Sequence, residues 1–385
     1  MGDRWNDGGR GSVGNASYVW LPLQKSTSDP SGFTMPPLSG GGDGSWKVSQ
    51  YLRRPIVPQA ELEREEKPRA VDLQPQALDP HAAPLIGGTG DWKYQYMPLK
   101  LQMPVNSSPP YSHGLERDDE DNLYLTYFDS ADPDRCLLRW SPSDGYTNYT
   151  VLGHGSELCK SGDSSNGPHG LRIAREASGT YFYHANNNQA LFKTDLLGNV
   201  LWSVYGPTKN GTKLAAGEEP PLNSRTGKPH TCVHGSYCPT WFGAQPNSNY
   251  IYMADGYGND QIHVYTTDGK YTGHTVGGKG DNTTHGKFNI PHSISWDPRR
   301  SQMVVSDRAN HRFEYFNISK TDPSVFDYVS TSTMDIFSND TGLVCNARFL
   351  SVREPGTEFL VAPTLEGWVF ILDAANKVCT YRSLL

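Results

Sequence analysis

Three residue types in this sequence could do chemistry by their spacing: cysteine, the asparagine of Asn-X-Ser/Thr, and histidine. Six cysteines occur and none form a Cys-X-X-Cys pair, which argues against a thiolate zinc cluster. Their even number and order suggest three local bridges, Cys136–Cys159, Cys232–Cys238 and Cys345–Cys379, with six reduced thiols as the alternative. Seven Asn-X-Ser/Thr sites, at Asn15, Asn106, Asn148, Asn210, Asn282, Asn317 and Asn339, are a modest excess over chance. Such sites mark exposed, glycosylated loops in a secreted chain. Histidine recurs in a phrase: Pro168-His169-Gly-Leu, Pro291-His292-Ser-Ile and Ser112-His113-Gly-Leu each open an apolar run. The carboxylates of Asp255 and Asp307 fall in turn-like phrases, where an Asp is expected to hydrogen-bond its own turn rather than a metal. His184, His234, His263, His274 and His311 are expected on the surface or in loops.

The elements around these residues repeat. Short apolar phrases such as Asn122-Leu-Tyr-Leu-Thr-Tyr127, Thr180-Tyr-Phe-Tyr-His-Ala185, Tyr250-Ile-Tyr-Met-Ala-Asp255, Met303-Val-Val-Ser306 and Glu358-Phe-Leu-Val-Ala362 return at a spacing of roughly 50–60 residues, within the range of propeller repeats. Each unit offers three or four strands joined by turns such as Thr267-Asp-Gly-Lys270. A small four-stranded sheet cannot bury both its faces alone, whereas blades stacked around an axis bury each other's. The expected fold is therefore all-β: a β-propeller with five visible blades and six in the ring, a sixth coming from Trp92–Met103 or from further upstream. A β-sandwich is the competing architecture.

Composition bounds the rest. The 385 residues carry a formal net charge of −7 with no basic stripe, which argues against nucleic acid as a partner. No apolar run is long enough to span a membrane. Residues 1–50 form a Gly/Ser-rich arm with one strand-like run, Tyr18–Leu23. Residues 51–91 form a Pro-rich linker, and 92–385 the propeller. No signal peptide is visible, so the N-terminus is expected to be mature or truncated.

The stacked phrases resemble NHL repeats, with Val305-Ser-Asp-Arg-Ala-Asn-His-Arg-Phe-Glu-Tyr-Phe316 fitting that family's strand pair closely. The two Pro-His phrases, together with Ala254-Asp-Gly-Tyr-Gly-Asn259, resemble the lyase domain of peptidylglycine α-amidating enzymes over about residues 111–375. That resemblance implies a six-bladed propeller that cleaves a peptidyl α-hydroxyglycine to an amidated peptide and glyoxylate. It implies zinc held by His169 and His292, with Tyr257 and Arg308 at the substrate. Neutral imidazoles leave zinc an open position, and a Tyr of lowered pKa could act as base. The third zinc His of the family would lie in a blade beyond Cys345–Asp373, where the chain ends; His113 is the substitute, although it sits in an adjacent blade. A separate stretch, Met1-Gly-Asp-Arg-Trp-Asn with Gly14 to Leu23, resembles the closing segment of family 43 glycoside hydrolases, without that family's catalytic carboxylates. It suggests a chain that begins late within a longer precursor, or a retained strand that completes a sheet in its own chain or a neighbour's.

Three functions follow as expectations: a zinc-dependent lyase, a binding propeller for a peptide or glycan, and a structural glycoprotein of an extracellular matrix or appendage. The non-enzymatic pair is placed first because the zinc-ligand set is incomplete. Zinc, calcium or no cofactor at all are the alternatives. Trp202, Trp241 and Tyr257 are candidate ligand-facing aromatics, and neighbouring subunits joined through the N-terminal arm are candidate partners.

Overall fold

A computed structural model describes residues 24–25, 32–34, 86–89, 92–95, 101, 104, 112–127, 129, 132–160, 168–187, 189–205, 237–334, 343–350, 359–365, 368–373, 375–376 and 378–383. A small sheet comes first: β1 (Gln24–Lys25), β2 (Gly32–Thr34), β3 (Ile86–Thr89) and β4 (Trp92–Gln95), in the order β1-β2-β4-β3. Five antiparallel four-stranded sheets follow as propeller blades. Blade 1 is β5 (Ser112–Arg117), β6 (Leu123–Tyr127), β7 (Leu137–Trp140) and β8 (Tyr149–Leu152). Blade 2 is β9 (Pro168–Glu176), β10 (Gly179–Asn186), β11 (Ala190–Thr194) and β12 (Val200–Tyr205). Blade 3 is β13 (Trp241–Ala244), β14 (Tyr250–Asp255), β15 (Gln261–Thr266) and β16 (Tyr271–Gly277). Blade 4 is β17 (Pro291–Asp297), β18 (Gln302–Asp307), β19 (Arg312–Ile318) and β20 (Phe326–Thr333). Blade 5 is β21 (Arg348–Leu350), β22 (Phe359–Pro363), β23 (Trp368–Leu372) and β24 (Val378–Ser383).

The stacking explains why the sequence shows apolar runs instead of strict alternation. A second strand such as β6 or β22 is buried along its whole length, because each face meets a neighbouring blade. Tyr124, Leu137, Leu171 and Phe182 fill the space between blades 1 and 2. Tyr183, Trp202, Phe242 and Met253 fill that between 2 and 3. Tyr252, Ile294, Met303 and Phe316 join 3 to 4, and Val304, Tyr315, Leu360 and Phe370 join 4 to 5. The other face of blade 1 is also buried, at Leu123, Tyr127, Leu138 and Trp140, with Leu101 packed against it. Strand β20 is the outermost of its blade and half exposed, Tyr328 and Val329 facing solvent.

The small first sheet holds part of the segment expected to supply a further blade. Trp92–Gln95 is β4, paired antiparallel with β3 and parallel with β2, and β3 lies beside β24 of blade 5. The strand-like run Tyr18–Leu23 lies outside the described residues; β1 begins at the next residue. Blades 5 and 1 meet through the ion pair of Arg348 with Glu116.

Of the expected bridges, Cys136–Cys159 is formed, with Cα atoms 5.0 Å apart. Cys238 is disulfide-bonded, and Cys232 lies outside the described residues. The bridge Cys345–Cys379 is not made. Cys345 carries a buried thiol that meets the Leu343 carbonyl at 3.6 Å. It bonds to the end of β22 at Pro363, while Cys379 is on β24. Three strand spacings, roughly 14 Å, separate the two, beyond the reach of a disulfide. Of the glycosylation sites, Asn148, Asn282 and Asn317 are exposed; Asn15, Asn106, Asn210 and Asn339 lie outside the described residues. No helix among the described residues is long and apolar enough to cross a membrane. The Cys136–Cys159 bridge ties the start of β7 to the short helix Glu157–Lys160 at the junction with blade 2. Replacing both by Ser is expected to cost about 3 kcal/mol of unfolding free energy, measured by urea denaturation of the variant beside the unaltered protein.

Candidate axial site at the inner-strand ends

The three His phrases open the inner strands of blades 1, 2 and 4, and at each the ladder is interrupted. Pro168 pairs with Asn186 and Gly170 with Ala185, leaving His169 as the extra residue. Pro291 pairs with Asp307 and Ser293 with Ser306, leaving His292. Ser112 pairs with Tyr127 and Leu115 with Leu125, so His113 and Gly114 stand against Thr126 alone. A bulge of this kind bends the strand and re-aims a side chain. Here it does so three times at a histidine.

Each of the two central imidazoles is then fixed by the next blade. His169 Nδ1 lies 2.8 Å from the Thr240 carbonyl at the entry to blade 3, and His292 Nδ1 lies 2.8 Å from the Cys345 carbonyl at the entry to blade 5. A carbonyl oxygen only accepts, so Nδ1 carries the proton in both rings and Nε2 is the acceptor of the neutral form. Gly170 makes the first contact feasible: a Cβ there would stand 2.3 Å from the Thr240 oxygen.

Both Nε2 atoms face the Tyr257 hydroxyl, at 3.3 Å from His169 and 2.8 Å from His292. Arg308 Nη1 donates to the same oxygen at 3.3 Å and its guanidinium lies 5.2 Å from the centre of the phenol ring. Tyr257 sits in the turn after β14, held close by Gly256, whose Cβ would stand 2.5 Å from the Pro291 carbonyl. Arg308 begins the short 3-10 helix Arg308–Asn310 after β18. The phenol thus has one proton for two acceptor nitrogens and a cationic donor on its other side.

The structure therefore brings His113, His169, His292, Tyr257 and Arg308 to one place. His113 arrives differently from the other two. Its ring is stacked on His169, centroids 4.2 Å apart and planes 15° from parallel. As the rings stand, an ion in the plane of one would lie well out of the plane of the other, so sharing a metal would require one ring to turn. His169 and His292 do fit as two ligands, since their rings are 5.1 Å apart at 63° with protons parked on Nδ1. Among the described residues no group of three or more His, Cys, Asp or Glu converges to hold a metal ion. The sequence contains two more Pro-His pairs, Pro80-His81, five residues ahead of β3, and Pro229-His230 ahead of blade 3, and both lie outside the described residues. The phrase itself was the signal that could have singled them out.

Below the site is a polar belt that the sequence did not announce. Glu116, Arg172 and Ser295 are the third residues after His113, His169 and His292. Arg172 contacts Glu116 at 3.1 Å and donates to Ser295 Oγ at 2.8 Å and to the Phe242 carbonyl at 3.1 Å. Ser295 donates to Asn346, and Arg348 pairs with Glu116. The belt joins blades 1, 2, 3, 4 and 5. Desolvation pulls the Arg172 pKa below its ordinary value, and Arg348 adds to this, while Glu116 opposes it.

Other expectations are corrected. Trp241 and Trp202 are buried between blades rather than facing a ligand: Trp241 packs edge-on to His169, and Trp202 donates to the Thr267 carbonyl. Asp255 and Asp307 do hold backbone, accepting from Cys238 N at 2.6 Å and Asn289 N at 2.7 Å. His184 and His263 are not surface residues, since both are buried on second and third strands. His274 is exposed, His311 caps the 3-10 helix, and His234 lies outside the described residues.

No known family model matches the chain. It is similar to the peptidyl-glycine alpha-amidating monooxygenase of Mus musculus, 28% identical over 160 residues, which is 41% of this chain and 14% of that protein. The Rattus norvegicus protein of that name is 28% identical over 162 residues, 41% and 14% of the two chains. The match thus spans about a seventh of the length of these relatives. Among solved structures, a chain of a nidogen/laminin complex aligns over 77% of this chain and 92% of its own, with 13% identity and a TM-score of 0.43. A chain of the mitotic checkpoint complex covers 83% and 76%, with 10% identity and a TM-score of 0.42. The distant relation to amidating proteins read from the Pro-His phrases is therefore borne out.

One buried imidazole outside the site has a measurable consequence. Burial pushes the His184 pKa down to about 3. A histidine whose folded pKa is depressed takes up its proton only on unfolding, so stability is complete above pH 6.5 and is lost as pH falls below it. The expected loss from His184 is about 2 kcal/mol between pH 7 and pH 5. Urea unfolding at the two pH values should show a shallower dependence in His184→Leu than in the unaltered protein.

Proposed function

We propose that this propeller recognises the carboxy-terminal end of a peptide at its axial site, and that it acts there as an amidating-lyase-like enzyme. The observation that carries the reading is the convergence of Nε2 of His169, Nε2 of His292, the Tyr257 hydroxyl and the Arg308 guanidinium on one point. Four residues from three blades are brought together by bulges and inter-blade hydrogen bonds, an arrangement that packing alone does not require. Arg308 offers a charged donor to a carboxylate, and each imidazole presents a lone pair.

In the reaction the hydroxyl proton of a peptidyl α-hydroxyglycine leaves oxygen, the C–N bond breaks as the C=O of glyoxylate forms, and the amide nitrogen gains a proton. Tyr257, in hydrogen-bond reach of both imidazoles, accepts the hydroxyl proton while handing its own to the amide nitrogen. Arg308 holds the carboxylate and orients the end. Zinc held by Nε2 of His169 and His292 would polarise an oxygen of that end. A third protein ligand is needed for a catalytic site of this type; the sequence offers His81 and His230 in the same Pro-His phrase.

A second reading has its own support. The Tyr257 hydroxyl occupies the position between the two Nε2 atoms, and His113 is stacked on the His169 ring. A site so filled suits binding without chemistry: an extracellular binding or structural propeller on a lyase-like scaffold. The formed Cys136–Cys159 bridge and the exposed sites at Asn148, Asn282 and Asn317 support a secreted, glycosylated setting for either reading.

The test is zinc content together with glyoxylate release from a peptide ending in α-hydroxyglycine. One zinc per chain, lost in His169→Ala, in His292→Ala and in one of His81→Ala and His230→Ala, with glyoxylate formed by the unaltered protein, is the expected result. Retained zinc in His81→Ala would remove His81 alone from the set. A protein with neither zinc nor glyoxylate contradicts the lyase and leaves the binding reading. Arg308→Ala is expected to raise the KM for that peptide about tenfold or more, from loss of a charge-assisted hydrogen bond, with a smaller effect on kcat.

A further inference from the structure

We infer that Asp260 is a positioning residue for the axial site, acting through a left-handed Ile290. Ile290 has φ 60° and immediately precedes Pro291-His292. A β-branched residue rarely adopts that region, and a following proline restricts its backbone further. The conformation persists because Ile290 is gripped from both sides. Its N–H donates to Asp260 Oδ1 at 2.7 Å, and its carbonyl accepts from the Arg308 N–H at 3.0 Å. The preceding Asn289 is held in parallel, N–H to Asp307 Oδ1 at 2.7 Å and carbonyl to Ala309 N–H at 2.9 Å.

Asp260 is buried and follows the turn that carries Tyr257 by three residues. Its carbonyl accepts from Gly278 N–H at 2.7 Å, and its own N–H donates to the Asp255 carbonyl at 3.2 Å. Asp260 therefore ties the turn that carries Tyr257, by its backbone, to the strand that begins at Pro291, by its carboxylate on Ile290, and through Ile290 to the backbone of Arg308. Returning Ile290 to a negative φ would swing the Pro291-His292 pair and carry Nε2 away from the Tyr257 hydroxyl. The value of this arrangement for function rests on the peptide-end reading, but the arrangement itself is read without substrate or metal.

The experiment is NMR of the metal-free full chain with 15N-labelled histidine. In the unaltered protein His292 is expected to show a single Nδ1–H tautomer with Nε2 as acceptor. Asp260→Ala is expected to lose that pattern at His292 while the buried His184 of blade 2 is unchanged. Asp260→Asn, which keeps an acceptor oxygen, is expected to retain it. Ile290→Gly placed in the Asp260→Ala background is expected to restore it, because glycine takes a positive φ without a clash. An unchanged His292 in Asp260→Ala overturns the inference, as does a double variant that stays displaced. If Asp260→Ala does not fold, the double variant alone decides: a native His292 pattern supports the inference, and a displaced pattern or a failure to fold contradicts it. Absence of zinc or of glyoxylate release would sink the lyase reading without touching this result.

Discussion

The hydrogen bond from a histidine Nδ1 to the entry carbonyl of the next blade sets up the rest of the site. It occurs twice, from His169 to Thr240 and from His292 to Cys345. Each instance ties one blade to its successor and, in the same stroke, chooses the tautomer. With the proton fixed on Nδ1, the opposite nitrogen becomes an acceptor, and the bulge aims it at the axis. Tyr257 and Arg308 then have something to face.

Beneath the imidazoles the inner strands carry charge where a packed core would carry none. Glu116 pairs with both Arg172 and Arg348, and Ser295, Asn346 and the Phe242 carbonyl take up remaining donors. Removing one member of such a set leaves a buried charge uncompensated, so the belt holds the blades in a fixed arrangement more than it adds net stability. The imidazole ties and the belt lie three residues apart along the same strands. The site thus inherits its geometry from the elements that link the ring.

Much of this architecture was legible in the residues. Apolar phrases at regular spacing gave the blades, because both faces of each blade are buried, and the Pro-His and Asp-Gly-Tyr phrases pointed to the residues that meet. What was not legible depends on register. Whether His169 is an ordinary inner-strand residue or a bulge is decided by which partner Pro168 and Gly170 choose, and no residue type announces it. Glu116 and Arg172 look like solvent-facing charges until the strands are placed around an axis. His184 and His263 look like surface residues because histidine is usually wet, yet inside the blades Thr194 meets Nε2 of His184, and Thr275 and Asp255 meet the two ring nitrogens of His263. The Cys345–Cys379 pairing failed because order along the chain says nothing of the three strands that intervene.

The central claim of the lyase reading is that the acceptor nitrogens of His169 and His292, which meet at a single point, hold zinc. Anomalous diffraction from crystals grown with zinc tests it most directly. A zinc peak within bonding distance of Nε2 of both His169 and His292, with the Tyr257 hydroxyl displaced from between them, is the predicted result. Crystals with no peak there, or with zinc bound only at surface histidines such as His274, would contradict it.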